Sequence, residues 1–420
     1  MSMTIAEKIL ADHSGKKEVR PGEYVWARID GTAIGLSTPS QLAKSNVDKF
    51  WDPDRVYAVE DHYALPPTSD AANFSVSVRQ IVKKYGVKNF FEYGRHGIAH
   101  EIYPQNGYVS PGDLIASVDS HTTSYGCFNV AACGINEEAP YVLANGQLWF
   151  RVPSTIKFVI TGEYPGPDKF IVGMDIMLRI LGEYGSTVGL YRSVEFHGPA
   201  VHEMSMASRF SIANLGAEIG AKFAIFPCDE KTLAFLDGKM KRPPNPVSPD
   251  PDAHYEAIHH IDLTHMPPYV ACPHDPSNSV PVSDVEPKHV KIDQAFIGSC
   301  TSGRKEDFEM AARILQGRKV HNDVRLIATP ASQLVWRECL REGIWETFAD
   351  AGALVTHSGC GLCGGWHMGL LGDGEVSIST TPRNFQGRQG SPTASIYLAN
   401  AATVAASAIE GYITDPREFL

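Results

Sequence analysis

Two thiols three residues apart, Cys360 and Cys363, sit in the run Ser358-Gly359-Cys360-Gly361-Leu362-Cys363-Gly364-Gly365. A third, Cys300, follows an apolar stretch in Gly298-Ser299-Cys300-Thr301. A Cys-x-x-Cys pair holds two thiolates on one short turn, and a third cysteine flanked by small residues can close on the same point. A structural zinc takes four protein ligands, usually from two such pairs, whereas iron–sulfur clusters are held by cysteine thiolates, normally four of them. Three cysteines leave one metal position open, and an open position is where a Lewis acid takes a substrate oxygen. The competing chemistry is thiol–disulfide exchange, since a Cys-x-x-Cys after a strand is also a redox motif and Ala353-Leu354-Val355-Thr356 reads as a strand. That chemistry gives no role to Cys300.

Downstream, Arg383 and Arg388 lie in a glycine-rich loop, Arg383-Asn384-Phe385-Gln386-Gly387-Arg388, ahead of an alanine-rich helical run. Guanidinium forks held in place suit carboxylates. Disulfide exchange has no use for them either.

With these motifs in order, the chain resembles the catalytic large subunit of the aconitase superfamily, in the group of 3-isopropylmalate dehydratase and homoaconitase, essentially end to end. The resemblance rests on Gly-Ser-Cys-Thr at 298–301, Gly-Cys-Gly-Leu-Cys at 359–363 and Arg-Asn-Phe-Gln-Gly-Arg at 383–388. Two more motifs support it, Asp-Ser-His-Thr at 119–122 and Asn-Leu-Gly-Ala-Glu-Ile-Gly-Ala at 214–221. Leu362 and Gly364 stand where a proline and a bulkier aliphatic residue are common, and Ser302 replaces the usual asparagine.

The resemblance implies a three-domain α/β fold of mostly parallel, layered sheets around a [4Fe–4S] cluster. Cys300, Cys360 and Cys363 would bind three irons, and the fourth would take the substrate's hydroxyl and carboxylate. It implies a hydro-lyase that isomerises a 2-hydroxy di- or tricarboxylic acid by dehydration and rehydration. 3-Isopropylmalate is the first expectation; homoaconitate, citramalate and dimethylmalate are the alternatives. The implied acid–base set pairs Asp61 with His62, Asp119 with His100, and Glu218 with His121. Carboxylate pairing fixes an imidazole's tautomer and raises its basicity, and His62 is expected to protonate the departing hydroxyl. Ser120, Arg383 and Arg388 are expected to bind substrate. So is Asn214, which four-residue spacing puts on one helical face with Glu218. The residues themselves show no evident base for the carbon acid; the resemblance implies a separate small swivelling-domain subunit that completes the site. An apo-form RNA-binding regulator is the reading from a different class.

Length and composition agree with this. A chain of 420 residues exceeds one core, and its 43% hydrophobic and 20% charged residues are ordinary for a globular protein. Eight cysteines scattered mostly singly are unlike a secreted disulfide framework. There is no run of membrane-spanning length and no signal-peptide pattern, so the expected location is the cytoplasm, with no membrane partner. A net charge of −11 argues against a nucleic-acid footprint.

The elements that must position these residues alternate. Strands are expected at 24–29, 56–60, 89–92 and 114–118, with a helix over 74–85. The strands at 56–60 and 114–118 end at Asp61-His62 and Asp119-Ser120-His121. Pro153 marks a boundary, followed by a strand at 157–161 and a helix carrying Ile171, Met174, Leu178 and Leu181 on one face. Proline-rich stretches at 242–252 and 267–285 read as loops. Strands at 294–298, 324–328 and 353–356, with helices between, form the last unit. The expected domains are 1–152, 153–287 and 288–420, the last carrying the cysteines.

Overall fold

The strand Gln294–Gly298 is buried at every position, as a parallel strand covered on both faces must be. It lies inside a seven-stranded sheet, ordered Ser279–Pro281, Tyr269–Ala271, Ser395–Ala399, Val376–Ser379, Gln294–Gly298, Arg325–Thr329, Leu354–Val355. The last five run parallel, while Tyr269–Ala271 is antiparallel to both its neighbours. Helix Ala401–Glu410 packs against this sheet, and helix Lys305–Leu315 packs on it in turn. The computed structural model describes residues 2–420.

A four-stranded parallel sheet comes from the middle of the chain, in the order Phe223–Ile225, Ser193–His197, Thr155–Thr161, Ala257–Asp262. The first part builds a three-stranded parallel sheet from Thr32–Ile34, Val56–Val59 and Asn89–Phe91. It adds a parallel pair, Leu114–Ser117 with Ala131–Gly134, and an antiparallel pair, Tyr24–Arg28 with Gln147–Arg151. The expected elements recur with shifted ends. The helix anticipated from Phe74 starts at Ser69, because the Thr68 hydroxyl accepts the Ala71 amide hydrogen, and Gly86 in the left-handed region closes it.

All the motifs but 214–221, which follows helix Met206–Leu215, come after the carboxyl end of a parallel strand. Val56–Val59 leads to Asp61 and His62, Leu114–Ser117 to Asp119 and His121, Gln294–Gly298 to Cys300, Leu354–Val355 to Cys360, and Val376–Ser379 to Arg383. Open α/β sheets hold ligands at that end, and here three sheets point theirs at one place. Short backbone bonds join them: Ile98 donates to the Ala331 carbonyl at 2.7 Å, and Cys360 to the Asp61 carbonyl at 3.1 Å.

One expectation fails. Asn214 and Glu218 do not share a helical face, because helix Met206–Leu215 ends before Glu218. A turn follows in which Ala217 donates to Asn214 and Glu218 to Leu215. Gly216 packs so tightly that a Cβ there would lie 2.4 Å from the Ala224 methyl, and the chain bends away at Gly220. Among the described residues, no helix is long and apolar enough to cross a membrane.

Helix Met206–Leu215 is anchored by Arg209, which is wholly buried and donates to both carboxylate oxygens of Asp229 at 2.8 and 2.6 Å. Burial alone would raise the Asp229 carboxyl; the bonds from Arg209 and Thr232 overrule it and bring it from 3.8 to about 2. A folded value below the unfolded one stabilises fully above about pH 3.8 and loses that contribution as pH falls toward 2. Asp229→Asn leaves the guanidinium buried without its counter-charge and should cost about 3–5 kcal/mol in urea unfolding at neutral pH. The gap to the parent protein should narrow between pH 4 and pH 2, to the extent that both forms stay folded. A loss under about 1 kcal/mol at pH 7 would show that the pair does not hold this helix.

Candidate active site

Cys300 occupies the short helical turn Ser299–Ser302, entered through Ser299 at φ +71°. A side chain in the left-handed region is strained by about 1–3 kcal/mol, a cost met at sites whose surroundings dictate the backbone. Those surroundings are polar. Arg304 donates to the carbonyls of Cys300 and Thr301 at 2.8 and 3.1 Å, pairs with Glu101 at 3.0 Å, and lies 3.6 Å over the Phe210 ring. Ser211 donates to the Thr301 carbonyl at 2.5 Å. Arg304 stands outside the residues assigned from sequence; its position directly after Gly303, one turn beyond the cysteine, was the available signal.

Cys360 and Cys363 sit on the tight turn Gly361–Gly364. Gly361 has φ +58°, and a Cβ there would lie 2.8 Å from the Phe296 ring, so glycine is what lets this turn close on the sheet. All three cysteines line one cavity of about 220 Å³, together with Asp61, His62, His100, Asp119, Ser120, His121, Arg383 and Arg388. A larger groove of about 730 Å³ shares Val118, Asp119 and Ser120 with it but touches none of the three thiols and neither arginine.

Each histidine meets its expected carboxylate. His62 Nδ1 is 2.5 Å from Asp61 Oδ1, His100 Nε2 is 3.0 Å from Asp119 Oδ1, and His121 Nε2 is 2.9 Å from Glu218 Oε1. Burial pushes the His62 imidazole down, but the Asp61 charge and hydrogen bond, with Asp119, lift it to about 9. His121 is likewise raised against burial by Asp119 and Glu218. Burial would raise Asp119 and Glu218; His100 and His121 hold the first well below the carboxylate range, and His121 with Arg383 hold the second below it. The charged forms are therefore the stable ones.

Arg383 donates to Glu218 Oε1 at 2.8 Å and to the Ser120 hydroxyl at 3.0 Å. Arg388 has no carboxylate partner among the described residues, and its buried Nε has no acceptor. Its hydrogen-bonded neighbour at the cavity is the Cys363 thiol, whose ionised form it favours against burial. Asn214 is fully buried; it donates to the Ser124 hydroxyl at 2.8 Å, accepts from Thr301 at 3.1 Å and hydrogen-bonds the Cys300 side chain. It steadies the Cys300 turn and does not line the cavity.

The donors suit a thiophilic metal group. Burial pushes the Cys300 thiol up to about 12, helped by Cys363 and Asp119, and likewise lifts Cys360 well above the usual thiol range, with Asp61, Cys363 and Cys300 adding to it. Three thiols that resist ionising next to one another become thiolates only around a cation that neutralises them. The tightest group, Asp61, His62 and Cys360, has ligand atoms within 4.8 Å of one another, but its carboxylate and imidazole already satisfy each other. The three thiols, distributed around the cavity, fit a cluster better than that trio fits a single ion.

Comparison with known proteins agrees. Residues 64–411 match the model of the aconitase family (aconitate hydratase). The chain is 44% identical to the 3-isopropylmalate dehydratase large subunit of Aquifex aeolicus, over all of this chain and 98% of that one. It is 42% identical to a probable methanogen homoaconitase large subunit of Methanothermobacter thermautotrophicus, again over 100% and 98%. The crystal structure of Thermococcus kodakaraensis aconitase X superposes with a TM-score of 0.53 at 12% identity, covering 96% of this chain and 94% of that one.

Replacing Cys300, Cys360 or Cys363 with Ser should each abolish iron and sulfide uptake on anaerobic reconstitution, whereas Cys127, Cys228, Cys272 and Cys339 variants should take up as much as the parent. Full iron and sulfide content in Cys300→Ser would remove the third ligand from the site.

Proposed function

The chain belongs to the aconitase family and is a hydro-lyase, and from that premise we propose that it is the large subunit of a 3-isopropylmalate dehydratase-like enzyme acting with a small subunit. The family implies a [4Fe–4S] cluster, and Cys300, Cys360 and Cys363 would hold it with one iron free of protein ligands. The observation that carries the reading is the cavity that gathers three thiols, three carboxylate-paired histidines and two arginines.

When bound, the cluster supplies a Lewis acid for the hydroxyl that leaves. The chain's own residues do the rest. Arg388, free of a protein carboxylate, grips one substrate carboxylate, and Arg383, fixed by Glu218 and Ser120, holds the other. His62, protonated at neutral pH and held by Asp61 through Nδ1, keeps its second proton on Nε2, 4.0 Å from Asp119 Oδ2. That proton goes to the departing hydroxyl, which leaves as water, and Asp61 stabilises the neutral imidazole's tautomer so that the proton can return during hydration. The proton on the neighbouring carbon goes to a base on the small subunit, which closes the cavity against water.

With the cluster loaded, the large chain alone should hydrate an alkyl-substituted unsaturated dicarboxylate very slowly, and titration with the small subunit should restore turnover. Full activity without a second chain would overturn the two-subunit reading. In the complete enzyme, His62→Ala with an intact cluster should lose a factor of about 10² to 10⁴ in kcat. Turnover close to that of the parent would take the general acid away from His62.

A further inference from the structure

The cavity has a charged side and an apolar side, and the apolar side is dominated by one residue that none of the chemistry above uses. Trp366 lines the cavity with Leu36, Ile98 and Val118, yet its side chain is 44% exposed. Its ring lies 5.7 Å from the His62 imidazole and 6.3 Å from Tyr63, with the Arg388 guanidinium 5.8 Å over its face. An open indole beside the proton donor and a carboxylate-binding arginine is a surface for substrate.

Gly364 makes the position available. A Cβ there would fall 2.5 Å from Cε3 and 2.7 Å from Cζ3 of the indole, with no backbone atom among its three nearest neighbours and no left-handed φ of its own. A side chain at 364 therefore meets the indole first. The second, independent observation is the cation count. On this chain the cavity is lined by two arginines and no lysine, both arginines lying on the loop side with the thiols. Its histidines are already paired with Asp61, Asp119 and Glu218. A carboxylate laid against Trp366, Leu36 and Ile98 would lose water without a further counter-charge from this chain, which is unfavourable; an alkyl group there would be stabilised by the burial itself.

We propose that Trp366, seated by Gly364, is the specificity-determining wall of this site, selecting 2-hydroxy dicarboxylates with an apolar third substituent over those whose third arm ends in another carboxylate. This rests on the hydro-lyase reading and adds to it which class of acid the large subunit admits.

The test uses the cluster-loaded two-subunit enzyme. Hydration is followed for an isopropyl-substituted and a carboxyethyl-substituted unsaturated dicarboxylate, and the readout is the ratio of their kcat/KM values. Trp366→Ala should reduce the preference for the isopropyl acid roughly 10- to 100-fold, mainly through KM for that acid, as expected for lost apolar contacts in a pocket. Trp366→Phe should recover most of the preference. Gly364→Val, which keeps the indole but displaces it, should reduce the ratio in the same direction and serves if Trp366→Ala fails to hold the cluster. A ratio unchanged by displacing the ring in Gly364→Val, or a parent enzyme that prefers the tricarboxylate, would overturn the proposal. Failure of the parent complex to hydrate either acid would instead overturn the hydro-lyase reading beneath it, before any variant is made.

Discussion

One carboxylate oxygen, Oε1 of Glu218, accepts both His121 Nε2 at 2.9 Å and Arg383 Nε at 2.8 Å. Its side chain is only 4% exposed, so neither partner can be exchanged for water at low cost. The three residues come from the turn after helix Met206–Leu215, the loop after Leu114–Ser117 and the loop after Val376–Ser379. A buried charge with two obligatory partners on separate segments fixes how those segments meet. It also leaves Arg383 with a defined direction and His121 with a defined tautomer. Asp119 repeats the arrangement one step nearer the cavity, accepting the His121 backbone amide at 2.7 Å and the His100 ring at 3.0 Å. Around three thiols, this amounts to a set of anions and cations in which Arg388 has no carboxylate partner and lies against the Cys363 thiol.

The rigidity has a second source in the backbone. The loops that carry chemistry are short and sit at the ends of parallel strands that, apart from the edge strand Leu354–Val355, are largely buried, so sheet packing sets their height. Cross-bonds such as the Cys360 amide to the Asp61 carbonyl set their separation. Arg304 does the same for the Cys300 turn, taking its two carbonyls while its own charge goes to Glu101. None of these contacts reaches the cavity, yet each restricts where a ligand atom can be, which is what positioning contributes to catalysis.

Much of this was legible in the residues before any coordinates. Thiol spacing, arginines in a glycine-rich loop and Asp–His neighbours at strand ends each imply a chemistry, and strand ends converge in parallel sheets whatever the intervening sequence. What was not legible depended on contacts between segments far apart in the chain. Asn214 and Glu218 look like one helical face because their spacing is four; the helix stops between them because Gly216 is pressed against Ala224, a neighbour that no local pattern announces. Asn214 is an amide beside a cysteine motif, and only packing decides that it serves Ser124 and Thr301. Trp366 carries no motif at all. Its importance arises from Gly364, whose small size means little until the ring lying against it is seen.

If Cys300, Cys360 and Cys363 hold a four-iron cluster, the iron without a protein ligand is the one that must take up the acid in the cavity lined by Arg388 and His62. Mössbauer spectroscopy of the ⁵⁷Fe-reconstituted large subunit in complex with its small subunit, with and without an alkyl-substituted hydroxy dicarboxylate, tests this most directly. The account requires that one iron site change its spectrum on adding the acid while the other three keep theirs. Four equivalent irons indifferent to the acid, or a metal content other than an iron–sulfur cluster, would contradict it.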